Sequence, residues 1–187
     1  MANSSKSYKV FKLSPNSSLT DEEACLVEPC ACAIHGLDRL DLSPGSEVLI
    51  LGAGPTGLLL AQLLRQNGAS RVVIAANRGP KTALAKSLRC ADEFVEIDRN
   101  DSEMTIKQWK ELKEVNPYGF DVVIEATGNE GIATRAIEYV RRGGTLMVYG
   151  VYDTRALVTW SPSKIFGEEI RVRQSFPHFQ SSANRLR

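Results

Sequence analysis

Short continuous apolar runs recur along the chain, each followed by a longer stretch with apolar residues at three- and four-residue spacing. The runs are Val48-Leu49-Ile50-Leu51, Arg71–Ala76, Phe94–Ile97, Phe120–Glu125, Thr145–Gly150 and Ile170–Phe176. A short unbroken apolar run reads as a strand buried on both faces, and the wider spacing reads as an amphipathic helix. Helices are predicted from the Pro55 region to about Leu64, ended by Gly68, and over Lys81–Leu88 and Met104–Val115. In the last of these, Ile106, Trp109, Leu112 and the stem of Lys113 would share one side before Asn116-Pro117-Tyr118-Gly119 stops it. A further helix is predicted over Ile132–Arg141, ended by Gly143-Gly144, and a short one holds Lys164-Ile165-Phe166 after Ser161-Pro162. Strands alternating with helices force parallel pairing through right-handed crossovers. The predicted fold class is therefore α/β, with a doubly wound six-stranded parallel sheet.

The N-terminal part has a different texture. Tyr8–Leu13 alternates like a strand within an otherwise irregular lead-in, and Pro15-Asn16 breaks it. Thr20-Asp21-Glu22-Glu23 is a capping box, in which Thr20 caps the helix and Glu23 reaches back. A helix should run from Asp21 to about Leu37, kinked at Pro29, with Leu26, Ala33, Ile34 and Leu37 on its buried face. Three segments follow from this reading: a lead-in with its helix over 1–45, a sheet domain over 46–176 and a polar tail over 177–187.

The chemistry concentrates where the first strand meets its helix, at Gly52-Ala53-Gly54-Pro55-Thr56-Gly57. In a strand–turn–helix context this G-x-G-x-x-G cradles a pyrophosphate. Gly52 permits the turn, Gly54 lets the phosphates approach the backbone, and Gly57 brings helix and strand close. The helix start offers unpaired N–H groups and the positive end of a dipole. Ligands of such sheets bind beyond the carboxyl ends of the strands, so the loops at Gly52, Asn77, Ala126 and Gly150 should line one crevice. The second strand ends at Ala76-Asn77 with no carboxylate for the ribose hydroxyls of NAD, and Arg78 and Lys81 offer positive charge to a 2′-phosphate. NADP(H) is accordingly expected over NAD(H).

Composition narrows the remaining classes. A net charge of +1 over 187 residues gives no electrostatic footprint for nucleic acid or a membrane surface. No apolar run is long enough to span a bilayer, and the polar N-terminus lacks the apolar core of a secretory signal. Four cysteines without C-x-x-C spacing suggest free thiols and a cytoplasmic location.

The run Thr20–Ala76, with EEACLVEPCACAIHGLDRL followed by GSEVLILGAGPTG, and the segments FDVVIEATG, GGTLMVYG and WSPSKIFG resemble the zinc-type medium-chain alcohol and polyol dehydrogenases, notably sorbitol and arabinitol dehydrogenase-like members. The resemblance covers about Tyr8 to about Phe176. It implies a Rossmann cofactor domain and hydride transfer between a nicotinamide and a secondary alcohol or its ketone, with zinc as Lewis acid. On this basis Gly52, Gly54, Pro55, Thr56 and Gly57 match the pyrophosphate turn, and Ala126-Thr127-Gly128 and Gly150-Val151 match nicotinamide-lining segments. Glu28 matches a glutamate near the catalytic zinc. The resemblance also implies a homodimer through the sheet edge at Ile170–Phe176.

The sequence departs from the family in its metal ligands. The Cys and His-Glu pair that hold the zinc belong to an N-terminal domain with no counterpart here, and the four-cysteine structural lobe is also missing. Segment 1–45 then reads as a remnant of the junction with that domain, and the chain as a cofactor-domain fragment inactive alone, with no catalytic residue of its own. Cys25, Glu28, Cys30, Cys32 and His35 read as residues of a packed helix more readily than as a substitute zinc set. A non-catalytic dinucleotide-binding module, such as a redox sensor, stays open as the alternative. Arg89 and Gln174 stand where relatives carry glycine, and a left-handed cap at Arg89 would cost about 1 kcal/mol.

Overall fold

The structure, a computed structural model, describes residues 18–175. The expected Tyr8–Leu13 strand and the 177–187 tail lie outside them. The strands are β1 (Glu47–Leu51), β2 (Arg71–Asn77), β3 (Glu93–Ile97), β4 (Phe120–Glu125), β5 (Val140–Val148) and β6 (Arg171–Gln174). They form one six-stranded sheet in the order β3-β2-β1-β4-β5-β6, and every pairing is parallel. The helices are α1 (Asp21–Cys25), α2 (Val27–Leu40), α3 (Pro55–Gln66), α4 (Pro80–Ser87), α5 (Ser102–Val115), α6 (Glu130–Ala136) and α7 (Pro162–Gly167). This is the doubly wound arrangement the alternating pattern predicts, with the strand order reversing between β1 and β4.

Successive strand residues feed opposite cores, which is why the central strands read as unbroken apolar runs. Val48, Ile50, Val72 and Ile74 join Leu60 and Leu64 of α3 on one face. Leu49, Leu51, Val73 and Val123 join Trp109 and Leu112 of α5 on the other. Ala33 and Leu40 of α2 belong to the first core, so this helix is seated on α3 and the sheet. Gly36 makes that seating possible: a Cβ there would lie 2.6 Å from the Tyr149 ring.

Two predicted helices take different forms. The Thr20–Glu23 capping box forms with both of its hydrogen bonds, but the helix behind it breaks at Leu26. Pro29 has no N–H for the Cys25 carbonyl and its ring crowds that carbonyl, so a new helix starts ahead of it. Leu26 is consequently exposed, whereas Ala33 is buried and Leu37 packs against the core as predicted, and Ala31, Gly36 and Leu40 complete the buried face.

The helix expected over Ile132–Arg141 stops at Ala136 and passes through a 3-10 turn, Ile137–Tyr139, into β5. The Gly143-Gly144 pair lies inside that strand rather than ending a helix. Phe120 pairs with Val140 and Val122 with Thr145, so Arg141 to Gly144 bulge opposite the single residue Asp121. Tyr139 is anchored by its hydroxyl, which donates to the Trp109 carbonyl at 2.9 Å. In α5, Trp109 and Leu112 are buried as expected, whereas Ile106 is 64% exposed and faces a side groove. Arg89 adopts the left-handed conformation at φ 48°, and the Arg65 guanidinium donates to its carbonyl at 2.9 Å.

Candidate functional site

A cleft of about 520 Å³ opens over the carboxyl ends of β1, β2 and β4, beside the switch point. Gly52, Ala53 and Gly54 form its floor on the β1 side. A Cβ on Gly57 would collide with the Gly52 carbonyl oxygen, so α3 can press onto the turn only with glycine there. Gly54 caps α3 and offers no side chain to the first-turn amides. A Cβ on Gly54 would meet no protein atom within 4 Å. The N–H groups of the first turn therefore lack both intrahelical and side-chain partners, the condition for anion binding.

The second wall is the segment from Ala75 to Thr82, and Asn77, Arg78 and Lys81 of that segment line the cleft. Two contacts hold this turn. The Arg78 amide donates to the Ile97 carbonyl at 2.9 Å, and the buried Thr82 hydroxyl donates to the Asn77 carbonyl at 2.6 Å. Arg78 is not alone, however. Its guanidinium lies 3.8 Å from Glu96 and 3.7 Å from Asp98, both on or just after β3. Glu96 is shared with Lys86 at 3.0 Å. The end of β2 itself carries no carboxylate, as read from the sequence, but Glu96 of β3 and Asp98 just after it bring two beside Arg78, so the expectation of a turn with no carboxylate near a 2′-phosphate is corrected. Residues two apart on a strand share a face, so Glu96 and Asp98 project together toward Arg78.

Ala126 and Thr127 close the cleft on the β4 side, and Ile97, Trp109 and Ile132 give it an apolar wall. A groove of about 410 Å³ continues from this wall past Thr105 and Ile106 of α5 to Asn129. Pro55 and Thr56 open α3 above the floor, without lining the cleft. Gly128, Gly150 and Val151 form an adjoining rim over β4 and β5. Val151 there is 89% exposed.

Beneath this rim sits a group the sequence reading passed over. Glu125, the last residue of β4, is fully buried. Its carboxylate accepts from the Thr127 amide at 2.7 Å, the Gly128 amide at 3.2 Å, and the hydroxyls of Thr127 and Tyr152. Burial, followed by the hydrogen bond to Glu125, pushes the Tyr152 phenol well above its ordinary range. A carboxylate directly after the buried apolar run Val122–Ile124 was the available signal.

Glu28 lies apart from the cleft, on α2. The Cys32 thiol donates to its Oε1 at 3.0 Å, and burial together with that carboxylate raises Cys32 to about 12. Among the described residues no three His, Cys, Asp or Glu side chains converge on one point. A zinc site takes three or more protein ligands, and a cysteine ligand binds as thiolate. The described residues do not fit zinc by themselves. His35 is half-buried on the same helix.

Comparison with known proteins agrees with this geometry. Residues 55–183 match the family model described as zinc-binding dehydrogenase. The chain belongs to that family. The zinc-binding dehydrogenases it is similar to include D-arabinitol dehydrogenase 1 of Uromyces fabae, 58% identical over 169 residues, or 90% of this chain and 48% of that protein. Sorbitol dehydrogenase of Bacillus subtilis (strain 168) is 33% identical over 135 residues, covering 72% of this chain and 36% of that one. A structure described as a zinc-binding dehydrogenase from Sinorhizobium meliloti 1021 bound to NADP aligns with TM-score 0.73 and 31% identity, over 86% of this chain and 46% of that one. Alcohol dehydrogenase TADH of Thermus sp. ATN1 aligns with TM-score 0.75 and 26% identity, over 94% of this chain and 48% of that one. The chain spans about half the length of such relatives or less, and corresponds to their cofactor-binding region.

Proposed function

We propose that this domain is the cofactor half of an NADP(H)-linked zinc-type alcohol or polyol dehydrogenase. Such an enzyme moves hydride between a nicotinamide and a secondary alcohol or its ketone. The observation that carries the reading is the cleft itself, where Gly52 and Gly54 of the glycine turn, at the uncapped start of α3, line one space with Arg78 and Lys81. A bound nicotinamide supplies the hydride chemistry. The residues of this chain bind and orient. First-turn amides of α3 take the diphosphate, and Gly54 leaves it room. Ile97, Trp109 and Ile132 offer an apolar wall to a flat base. Thr127, Gly128, Gly150 and Val151 meet the second nucleoside.

NADP(H) over NAD(H) rests on Arg78 and Lys81 beside a strand end without its own carboxylate. Glu96 and Asp98 temper that preference by engaging Arg78. The arabinitol dehydrogenase likeness favours a polyol substrate. Free thiols at all four cysteines favour a reducing compartment such as the cytoplasm, and no helix among the described residues is long and apolar enough to cross a membrane. Edge strand β6, with Val172 39% exposed and Phe166 88% exposed nearby, is the proposed dimer face. Sedimentation equilibrium tests it.

Calorimetric titration of the chain with NADPH and NADH tests the main reading. Saturable binding of both with NADPH tighter is expected. No binding of either refutes the cofactor assignment, and tighter NADH overturns the preference.

A further inference from the structure

Glu125 joins the two loops that leave the central strands. Its main-chain carbonyl accepts from the amides of Tyr149 and Gly150, at 2.9 and 2.8 Å. Its carboxylate binds Thr127 and Gly128 on one loop and the Tyr152 hydroxyl on the other. The loops touch through backbone. A Cβ on Gly128 would collide with the Val151 carbonyl oxygen, and one on Gly150 with the Gly128 amide nitrogen. Thr127 in turn reaches the phosphate turn, because a Cβ on Gly52 would lie 3.0 Å from its methyl group. Tyr152, Glu125, Thr127 and Gly52 therefore form a continuous chain of contacts from the outer rim to the cleft floor.

A buried carboxylate is costly unless several donors satisfy it. Here the donors are amides and hydroxyls of the two loops, so the cost is offset only while the loops keep their spacing. The cleft gives that spacing a use. A dinucleotide anchored at α3 with its phosphorylated ribose at Arg78 must lay its other nucleoside over β4 and β5, against this rim. We propose that Glu125 and Tyr152 are a positioning pair that fixes the two loops against the nicotinamide-bearing nucleoside and so sets how tightly that half of the cofactor is held. The inference rests on the cofactor reading above. Neither side chain needs to touch the ligand, since both act through Thr127, Gly128 and Gly150.

The test removes one hydroxyl. Tyr152 is half-buried on a loop, so Tyr152→Phe keeps the ring and spares the core, where Glu125→Gln would disturb it. The full chain and the variant are titrated with NADPH and with 2′-phospho-ADP-ribose, which carries the same anchoring groups and lacks nicotinamide. The expected result is a loss of about tenfold in NADPH affinity, with 2′-phospho-ADP-ribose unchanged within about twofold. The fluorescence of bound NADPH, which reads the nicotinamide surroundings, should change as well. Equal weakening of both ligands would mean a general structural role and overturn the proposal, as would unaltered NADPH binding. If the unaltered chain binds neither ligand, the cofactor reading falls and takes the pair with it. If the unaltered chain binds both and the variant is indistinguishable from it, the pair alone falls.

Discussion

Replacing Arg78 with aspartate should separate the two nicotinamide cofactors. The side chain is 63% exposed and its ion pairs with Glu96 and Asp98 span 3.8 and 3.7 Å. Exposed pairs of this kind are worth about 0.5 kcal/mol each, which a bound 2′-phosphate must displace. A bidentate guanidinium–phosphate contact contributes about 1.5–3 kcal/mol. The net contribution of Arg78 to NADPH binding is then about 0.5–2 kcal/mol. Aspartate removes it and adds repulsion of about 1 kcal/mol for a carboxylate some 6 Å from the phosphate in water. The sum, about 1.5–3 kcal/mol, corresponds to a rise of roughly 10- to 150-fold in the NADPH Kd. NADH lacks the phosphate, and the new carboxylate can accept from its ribose hydroxyls, so NADH affinity should hold or improve up to about threefold. Calorimetry with both cofactors at low ionic strength reads the difference, and added salt should shrink it. Equal weakening of both cofactors would refute a phosphate role for Arg78.

Three further outcomes follow from the same geometry. Asp98→Asn releases one restraint on Arg78 and should tighten NADPH about threefold without altering NADH, as read by the same titrations. Gly57→Ala drives a methyl into the Gly52 carbonyl and should cost roughly 1–3 kcal/mol in urea unfolding while weakening both cofactors. Cys32, raised by burial and by Glu28 to about 12, should resist iodoacetamide at pH 8 while exposed Cys25 reacts, as peptide mass spectrometry can show. The folded thiol keeps a proton that the unfolded chain releases above its ordinary 9.0. Its contribution to stability is therefore whole below about pH 9 and declines as pH rises toward 12.

Local signals carried most of the architecture into the sequence. The central strands were legible because burial on both faces leaves no polar position, as in Val48–Leu51 and Val72–Ala75. The glycine turn was legible because its demands are local: α3 can approach β1 only if residue 57 has no side chain. The errors arose where tertiary contact overrode a local pattern. Ile132, Ala136, Ile137 and Val140 repeat at helical spacing, yet Tyr139 is tied to Trp109, and Val140 pairs with Phe120, which draws the chain into strand. Gly143 then serves a bulge at φ 69°, a role a glycine pair shares with helix ends, so the residue type alone could not separate the two.

The site was legible by segment and not by pair. Its positive wall and glycine floor come from contiguous residues, and a contiguous motif declares itself. The interactions that tune it join residues far apart in sequence, Arg78 with Asp98 and Glu125 with Tyr152. Each partner read alone is ordinary: an acid beginning a polar loop, a tyrosine after a strand, a glutamate ending one. Parallel pairing creates both relations, because it sets the carboxyl ends of β2 and β3, and of β4 and β5, side by side. A group ending one strand is thereby delivered to the loop that follows its neighbour. In a doubly wound sheet those ends are also where the ligand lies. A charged or hydrogen-bonding residue at the last position of such a strand therefore bears on the crevice through the adjacent loop, whether or not it reaches the ligand. Applied to β4, that rule marks Glu125 from the sequence alone.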